Sequence, residues 1–492
     1  MAETWATPLP HGVHQENCLD PLDYSEGGIA WGRQRMDQKV PQLSRAAIIG
    51  GSIAGLLTAR VLSDMTEQVW VIDRDHLPQT NTPRKGVPQS VQPHVLFTKG
   101  YRILESLFPG IGEDLKAAGA VPIDWGREFH YCHESGWNAI YEGDSGLISF
   151  TCTRHLLETT IRRHVAKLPN VQWLEGRRVC GLEGNRQQVK GIRYRSMKEG
   201  RETSLTADIV IDASGRSSQA PKWLETMGVS IPKTIVNPHV GYATQRLQIP
   251  AGWQADWKVM LISQRPPHNP RLGYLAQVEG NEWIATLGGY GKDYPPLEQA
   301  GFLEFAHSLA HPAFYEAVKA AQPVTPIRAH RATANRFYHY EQIQMPHGFA
   351  AIGDAVCALC PVYGQGMTVS ALSALILRDW LKQPVQAGKS LDTASFQKQL
   401  AKSLEFPWGM ATGSDAQFPT TEGEVSSNAI ATLFQKYVER LVQKSTEEGW
   451  IHVRFTEVAH MLKPPTAFFT PRLLLKVLAT SYPAKRVFKQ AK

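Results

Sequence analysis

Residues 46–55, which read Ala-Ala-Ile-Ile-Gly-Gly-Ser-Ile-Ala-Gly, decide the fold of this chain. The four apolar residues predict a buried strand, and the glycines after it predict a tight turn into a helix over Leu56–Leu62. Val69–Asp73 predicts a second strand, which ends in an acid. Free backbone N–H groups at the start of a helix attract phosphates, so this order of elements favours a nucleotide-binding α/β unit.

The turn departs from the Gly-x-Gly-x-x-Gly pattern at one position. Gly50 and Gly55 hold the first and last places, and Ser52 stands where the middle glycine is expected. Asp73 ends the second strand, where a carboxylate can accept hydrogen bonds from ribose hydroxyls. A glycine turn that only packs a helix on a strand is the alternative. The residues predicted to hold the nucleotide are Gly50, Ser52, Ile53, Ala54, Gly55, Asp73 and Arg74.

A second glycine turn, much later in the chain, favours FAD over NAD. Gly353-Asp354 follows the strand-like run Phe349–Ile352, and a Gly-Gln-Gly turn then opens an apolar helix over Met367–Leu381, which we predict to end before Pro384. An acid at a strand end can bind the ribityl hydroxyls of a flavin, and a helix start can face the anionic side of its reduced ring. The alternative is a glycine-rich loop that serves packing. The predicted flavin contacts are Gly353, Asp354, Pro361, Gly364, Gln365, Gly366 and Met367.

With Asp212-Ala213-Ser214-Gly215-Arg216 between them, these motifs resemble the FAD-dependent aromatic-hydroxylase-like monooxygenases, which have a glutathione-reductase-type FAD domain. The segments around Arg84, Thr153–Glu158 and Cys357–Met367 are similar to a bacterial subgroup of polyether epoxidases related to squalene epoxidase. The resemblance spans residues 45–420. It implies cofactor contacts from Gln89 near the flavin, Arg154 at the pyrophosphate or ribityl chain, the Val179 backbone at the adenine, and Asp212. An exposed helix charge is the alternative for Arg154.

The resemblance also implies the reaction. Reduced flavin and O₂ form a C4a-hydroperoxide that transfers one oxygen atom without a protein nucleophile, so we assign no catalytic side chain. The expected reaction is epoxidation or hydroxylation of a hydrophobic specialised metabolite, such as a polyketide or terpenoid. The electrons come from NAD(P)H, either directly or through a flavin reductase; Ala213, in place of a glycine, leaves the direct route open to question. Aromatic residues predicted to line the substrate pocket, with core packing as the alternative for each, are Tyr242, Tyr274, Trp283 and Tyr290.

Other functions remain open at this point. An FAD-dependent reductase or dehydrogenase of isoprenoids would keep the same cofactor motifs, and so would a non-enzymatic flavin-binding protein. Flavin-dependent halogenases share this domain, but their Trp-x-Trp-x-Ile-Pro signature is missing, because Trp253 and Trp257 are spaced differently. We predict no metal site, since Cys357 and Cys360 lack a second pair and the pair His307 and His311 lacks the glutamate of a zinc-protease motif.

The expected fold is α/β, with a discontinuous FAD-binding domain and an inserted substrate domain. Residues 238–290 alternate apolar and polar positions in several short runs, which predicts an antiparallel sheet. The C-terminal part is predicted to be helical, with breaks at its prolines, including Pro407. The predicted boundaries are an N-terminal extension over 1–44, the FAD domain over 45–127, 151–225 and 345–390, the substrate domain over 128–150 and 226–344, and the helical region over 391–492.

The charge distribution excludes nucleic acid as a partner. The formal charge is 52 − 45 = +7, and seven cations after Glu457 account for all of it, so residues 1–457 are balanced. The six cysteines and the lack of a leading basic-apolar segment predict a cytoplasmic protein. Thr470-Pro471 begins a basic amphipathic helix, which either packs on the body or makes a peripheral contact with an anionic membrane.

Overall fold

The computed structural model describes residues 43–386, 391–424 and 429–478. The predicted extension over 1–44 lies outside the described residues, except that Leu43 and Ser44 already belong to the first strand. The strands are β1 (Leu43–Ile49), β2 (Thr66–Ile72), β3 (Val121–Asp124), β4 (Phe129–His133), β5 (Gly136–Trp137), β6 (Ile148–Thr151), β7 (Val171–Leu174), β8 (Arg177–Gly184), β9 (Val189–Ser196), β10 (Glu202–Thr206), β11 (Ile209–Asp212), β12 (Lys233–Val236), β13 (Gly241–Gln248), β14 (Val259–Ile262), β15 (Arg271–Val278), β16 (Glu282–Gly289), β17 (Gln322–Pro323), β18 (Arg328–His330), β19 (Asn335–Tyr338), β20 (Phe349–Ala351) and β21 (Cys357–Ala358). The α-helices are α1 (Ile53–Ser63), α2 (Thr98–Leu107), α3 (Ile111–Ala117), α4 (Arg154–Val165), α5 (Ala220–Thr226), α6 (Gln299–His307), α7 (Ala313–Val318), α8 (Gly366–Gln386), α9 (Thr393–Asp415), α10 (Ala429–Lys444), α11 (Gly449–Ala459) and α12 (Pro471–Leu478).

A parallel sheet brings the predicted cofactor motifs to one edge. Its strand order is β20-β11-β1-β2-β7, and β1 pairs with β2 on one side and β11 on the other. Ile49, the last residue of β1, lies beside Ile72 of β2 and Asp212 of β11. The turns that follow these strands therefore leave the sheet side by side, at the carboxyl edge where open α/β sheets bind ligands.

A second, mostly antiparallel sheet contains the strands predicted over residues 238–290. Its order is β17-β13-β16-β15-β14-β4-β5, with β18 also paired to β13, and β14 and β4 form its one parallel pair among the described strands. One face packs under α6 and α7 in a core that includes Phe302 and Phe314. The α/β fold with an antiparallel sheet is confirmed, whereas the domain boundaries stay a prediction.

Two prolines that were predicted to end helices, Pro407 and Pro384, lie inside them. Helix α9 runs from Thr393 to Asp415 through Pro407, and α8 continues past Pro384 to Gln386. A proline inside a helix costs about 3 kcal/mol because it removes one hydrogen bond and crowds the preceding turn. Pro407 is buried, and the packing of the helix offsets that cost. None of the described helices has the length and hydrophobicity needed to cross a bilayer.

Candidate functional site

The first glycine turn has backbone geometry that only glycine accepts easily. Gly50 has φ +103°, and a Cβ there would lie 2.7 Å from the carbonyl oxygen of Ala213. A Cβ on Gly55 would lie 1.8 Å from the carbonyl oxygen of Gly50. The turn therefore packs against both the start of α1 and the loop after β11, and the first N–H groups of α1 face the edge of the sheet, where they can meet a phosphate.

Asp73 follows β2 directly and holds this turn. Its Oδ2 accepts a hydrogen bond from the backbone N–H of Gly51 at 2.7 Å and forms an ion pair with Arg84 at 2.6 Å. Its Oδ1 accepts from the N–H of Asp75 at 2.9 Å. Asp73, the acid predicted to bind the ribose, therefore lies at the turn with Arg84 beside it.

A buried ion network extends from Asp73 to α4. Glu158 binds Arg84 at 2.6 Å and Arg154 at 2.9 Å, and Arg154 also donates to Ser52 Oγ at 2.7 Å. Burial alone would raise the pKa of Glu158, but Arg154 and Arg84 outweigh it and lower the pKa to about 2. Ser52, which replaces the middle glycine, donates to Glu158 at 2.7 Å and so joins the network. Arg154 is only 7% exposed, which excludes the alternative of a solvated helix charge.

Several buried polar groups at this edge lack a partner among the described residues. Arg154 Nε and Ser90 Oγ have none, and both residues line a cleft beside the network. Gln365 Oε1 also lacks a hydrogen-bond partner among the described residues, and Gln365 is only 2% exposed. Asp354 is half-buried, no described residue donates a hydrogen bond to its carboxylate, and desolvation raises its pKa. Since buried polar groups in folded proteins are normally bonded, Arg154 Nε and Ser90 Oγ indicate a polar ligand in the cleft.

The start of α8 lies next to Asp354. A Cβ on Gly366 would be 3.9 Å from Asp354 Oδ1, and Gly353 has φ +57° with Ala54 of α1 beside it. Both glycine turns predicted from the sequence therefore meet at one place. Gly364, with φ +66°, ends the short helical turn Pro361–Tyr363 that leads into α8.

Asp212 is bonded within its own loop. Its Oδ1 accepts hydrogen bonds from the N–H and the hydroxyl of Ser214 at 3.0 and 2.5 Å, and its Oδ2 accepts from Ser218 Oγ at 2.5 Å. The carboxylate is fully buried and is used by its own loop. These bonds hold the loop beside the glycine turn, and the cofactor contact of Asp212 stays a prediction.

The remaining predicted contacts lie around the same edge. Arg74 is exposed and donates to the carbonyl oxygen of Gly86 at 2.7 Å, and Gln89 is half-buried in the short helix Pro88–Val91. Val179 lies in β8, two residues after Arg177, whose N–H donates to the Asp73 carbonyl at 2.9 Å. Ile53 and Ala54 form the first turn of α1, and Met367 is buried in α8.

Three of the four predicted pocket aromatics share one face of the second sheet. Tyr242 and Tyr290 pack with Val362 of the turn Pro361–Tyr363, which we call the flavin turn. Tyr274 lies farther along the same face. Trp283 points to the opposite face and packs in the core under α6 and α7, so its assignment to the pocket is wrong. The cause is the period of two along a strand, because Trp283 is an odd number of residues from Tyr290 and the two face opposite sides.

Similarities to known proteins in sequence and in fold are consistent with this site geometry. The FAD binding domain family matches residues 44–399. Protein Rv3254 of Mycobacterium tuberculosis is 34% identical over 76% of this chain and 80% of its own length. Squalene epoxidase 2 of Arabidopsis thaliana is 24% identical over 71% of this chain, which spans only 56% of that protein. The solved structure of the flavin-dependent brominase Bmp2 superposes with a TM-score of 0.59 at 14% identity, covering 82% of this chain and 93% of that one, and so shows the fold alone.

The chain belongs to the FAD binding domain family, within the aromatic-hydroxylase-like FAD-dependent monooxygenases.

The residues of this flavoprotein fit FAD. The start of α1 and Arg154 would hold the pyrophosphate, Asp73 the ribose, and Asp354 the ribityl chain, while the N–H groups at the start of α8 would face the flavin ring. The unbonded Arg154 Nε and Asp354 carboxylate supply the free hydrogen-bonding groups that such a ligand requires.

Two residues of this monooxygenase's cofactor edge were missing from the sequence-based list. Arg84 and Glu158 are both buried, and they join through an ion pair that spans 74 positions of the chain. Part of the signal was local, because Arg154, Glu158 and Arg162 are spaced four apart on α4 and form ion pairs along one helix face. Arg84 gave no such signal, since its partners come from the segment after β2 and from α4.

Proposed function

We propose that this flavoprotein inserts one oxygen atom from O₂ into a hydrophobic substrate, by epoxidation or hydroxylation of a polyketide- or terpenoid-type alkene or ring. The observation that carries the proposal is the contact between the aromatic face of the second sheet and the flavin turn. Tyr242, Leu272 and Tyr290 pack there with Val362 and Phe418 in one buried cluster. The similarity to squalene epoxidase 2, whose name gives an alkene as its substrate, supports this choice.

The bound and reduced FAD would supply the activation of O₂, and the protein groups would place and protect it. The start of α1, Asp73 and Arg154 would anchor the nucleotide half, and Asp354 would anchor the ribityl chain. The aromatic and aliphatic side chains around Tyr290 would exclude water from the flavin ring, which is what a water-sensitive oxygen transfer needs. No protein nucleophile is required for this chemistry, and we assign none.

NAD(P)H is the electron source in this proposal, used directly or through a separate flavin reductase. Ala213 stands in the loop after β11, where the related enzymes have a glycine, and its carbonyl oxygen packs against Gly50. A direct reaction would bleach the flavin of the purified protein under anaerobic conditions, whereas an external route would need a reductase.

We also propose a peripheral membrane contact through α12, because it would bring a lipophilic substrate near the protein. Leu475 and Leu478 of this helix are 70% and 61% exposed, and Phe469 just before it is 45% exposed. Arg472 lies over the Trp450 ring at 4.3 Å, and Lys476 pairs with Glu448. Apolar side chains in solvent beside cations favour an anionic lipid surface. Residues 479–492, which continue the basic tail, lie outside the described part of the chain.

The test of the reaction uses the purified holoprotein with NADPH, with and without a flavin reductase, under ¹⁸O₂. Squalene serves as an alkene probe and 1-naphthol as an aromatic probe, and mass spectrometry follows the products. The expected result is a product heavier by one ¹⁸O atom and consumption of O₂ that depends on the probe. Reduced or dehydrogenated product without O₂ uptake would favour the reductase alternative and overturn the proposal. A product halogenated only when chloride or bromide is present would favour the halogenase alternative.

A further inference from the structure

Asp415, the last residue of α9, is a buried acid that the cofactor site described above does not use. Its side chain is 0% exposed. Its Oδ1 accepts a hydrogen bond from the Tyr363 hydroxyl at 2.6 Å, and its Oδ2 accepts from Asn335 Nδ2 at 2.6 Å. Both oxygens are thus bonded to residues far away in the chain.

These two bonds lead to the two ends of one short loop. Tyr363 ends the turn Pro361–Tyr363, immediately before Gly364 and the start of α8. Asn335 Oδ1 accepts from the backbone N–H of Cys360 at 2.6 Å, so the second bond reaches the other end of the loop. A single carboxyl group therefore fixes the loop Cys360–Tyr363, on which the N–H donors that open α8 depend.

No cation balances this carboxyl group. None of the described lysines, arginines or histidines forms an ion pair with Asp415, and burial raises its pKa to about 6. The titratable groups that face it are Tyr242 and Tyr290 of the second sheet, and Cys360 and Tyr363 of the loop. Burial raises the pKa of all four, so that each stays neutral around pH 6, where Asp415 is the group of this cluster that changes charge.

We propose that Asp415 is the positioning residue of the loop Cys360–Tyr363, and that its two carboxyl oxygens fix the position of this loop and of the N–H donors at the start of α8. Asp415 acts through Tyr363 and Asn335. The inference rests on the flavin site of the proposed function, but on no particular substrate or reaction.

Three variants test the inference in the purified full-length protein. Asp415→Ala removes both acceptors. Asp415→Asn keeps the shape but cannot ionise; its amide oxygen can accept from Asn335 while its NH₂ donates to the Tyr363 hydroxyl oxygen, so both contacts can still form. Tyr340→Phe is the matched control, because it removes a fully buried hydroxyl that has no hydrogen-bond partner among the described residues. The readouts are the dissociation constant for FAD, from quenching of flavin fluorescence, and the shape of the visible flavin bands at pH values on either side of about 6.

The expected results separate positioning from simple stability. Asp415→Ala weakens FAD binding about 10-fold or more, because two buried donors lose their acceptor. Asp415→Asn retains FAD affinity close to that of the wild type. It lacks the change in band shape that the wild type shows with a midpoint near pH 6. Tyr340→Phe behaves as the wild type in both measurements.

Two results would overturn the inference while leaving the flavin site intact. One is an Asp415→Ala protein that binds FAD with wild-type affinity and spectrum. The other is an Asp415→Asn protein that keeps the transition near pH 6. A wild-type protein that takes up no FAD would instead overturn the proposed function, and the inference with it.

Discussion

The carboxyl edge of the parallel sheet and the aromatic face of the second sheet meet at the flavin turn, but they are built differently. The edge consists of backbone turns and charged side chains, with Glu158 holding Arg84 and Arg154 in a buried network. The face consists of uncharged side chains from several strands, such as Tyr242 and Tyr290. The edge suits a charged cofactor of fixed shape, whereas the face suits a hydrophobic molecule held by packing. The loss of one charged side chain should disrupt the ion network of the edge, whereas a substitution on the face should change its packing gradually.

Glu158→Gln should have the largest effect, because it disrupts the buried ion network at the carboxyl edge of the parallel sheet. The change leaves Arg84 and Arg154 buried without their shared anion, which destabilises a protein by about 3–5 kcal/mol. We expect a matching fall in the urea midpoint and weaker FAD binding. Glu202→Gln, at an exposed ion pair with Arg195, is the control and should leave both unchanged. Equal effects of the two variants would contradict the network.

Trp283→Ala sharpens the contrast from the side of the second sheet. Removing a 1% exposed core side chain costs about 3–5 kcal/mol, and we expect this loss in urea unfolding with an unchanged flavin spectrum. Tyr274→Phe, on the face that meets the flavin turn, should do the reverse. It should leave the free energy of unfolding close to wild type and alter the ratio of oxygenated products. A change of products in the Trp283→Ala variant alone would mean that the two faces have been assigned the wrong way round.

Gly50→Ala tests the backbone part of the edge. A Cβ at φ +103°, 2.7 Å from the Ala213 carbonyl oxygen, should cost about 2–4 kcal/mol and reduce FAD uptake. Gly409→Ala is the matched control, since that helical glycine has open space around an added Cβ. It should stabilise α9 by about 0.5–1 kcal/mol. Calorimetric melting of both variants checks the pair, and a neutral Gly50→Ala would show that the turn tolerates a side chain.

The two buried acids, Glu158 and Asp415, should respond to pH with opposite signs. The folded pKa of Glu158 is lowered from 4.5 to about 2, so its contribution to stability is present above 4.5 and is lost as the pH falls towards 2. The folded pKa of Asp415 is raised from 3.8 to about 6, so its contribution is present below 3.8 and is lost as the pH rises through 6. Urea unfolding at a series of pH values should therefore show the wild type losing stability relative to Asp415→Asn between pH 3.8 and about pH 6. A difference that stays constant would contradict the burial of an unpaired acid.

The sequence predicts the edge better than the face, for a physical reason. The turn at Gly50–Gly55 and the acid at Asp73 are local patterns, and the pairing of β1 with β2 and β11 brings them together without further information. The face depends on which side of β16 meets the flavin turn. Alternation along the strand puts Tyr290 and Trp283 on opposite sides, but it does not tell which of the two sides meets that turn. The same limit hid Arg84, whose partners lie in distant elements.

Local propensity also misled the prediction of the C-terminal helices. Pro407 should end a helix by propensity, but packing within α9 overrides it. Asp212 ends a strand as a cofactor-binding acid would, yet the neighbouring serines use both of its oxygens. In each case the deciding contact is tertiary or lies in a loop whose conformation the residue types leave undetermined.

The smallest expected effect concerns the surface of α12. Replacing the exposed Leu475 and Leu478 by serine should lower binding to phosphatidylserine vesicles by about 10-fold, since the variant loses two apolar side chains from the contact. The free energy of unfolding should not change, because both side chains are already in solvent. Met197→Ser, at a 58% exposed apolar residue in the turn after β9, is the control. Unchanged vesicle sedimentation would remove the membrane contact and leave the flavin site untouched.

The visible absorption spectrum of the purified protein, followed by anaerobic addition of NADPH and NADH, tests the central claim most directly. The account predicts flavin bands at about one FAD per chain, as one site with one pyrophosphate turn requires. Bleaching by either nucleotide would establish direct reduction, and its absence would assign reduction to a separate reductase. A folded but colourless protein that takes up no added FAD would contradict the account, because Asp73, Arg154 and Asp354 would then surround a turn that serves packing alone.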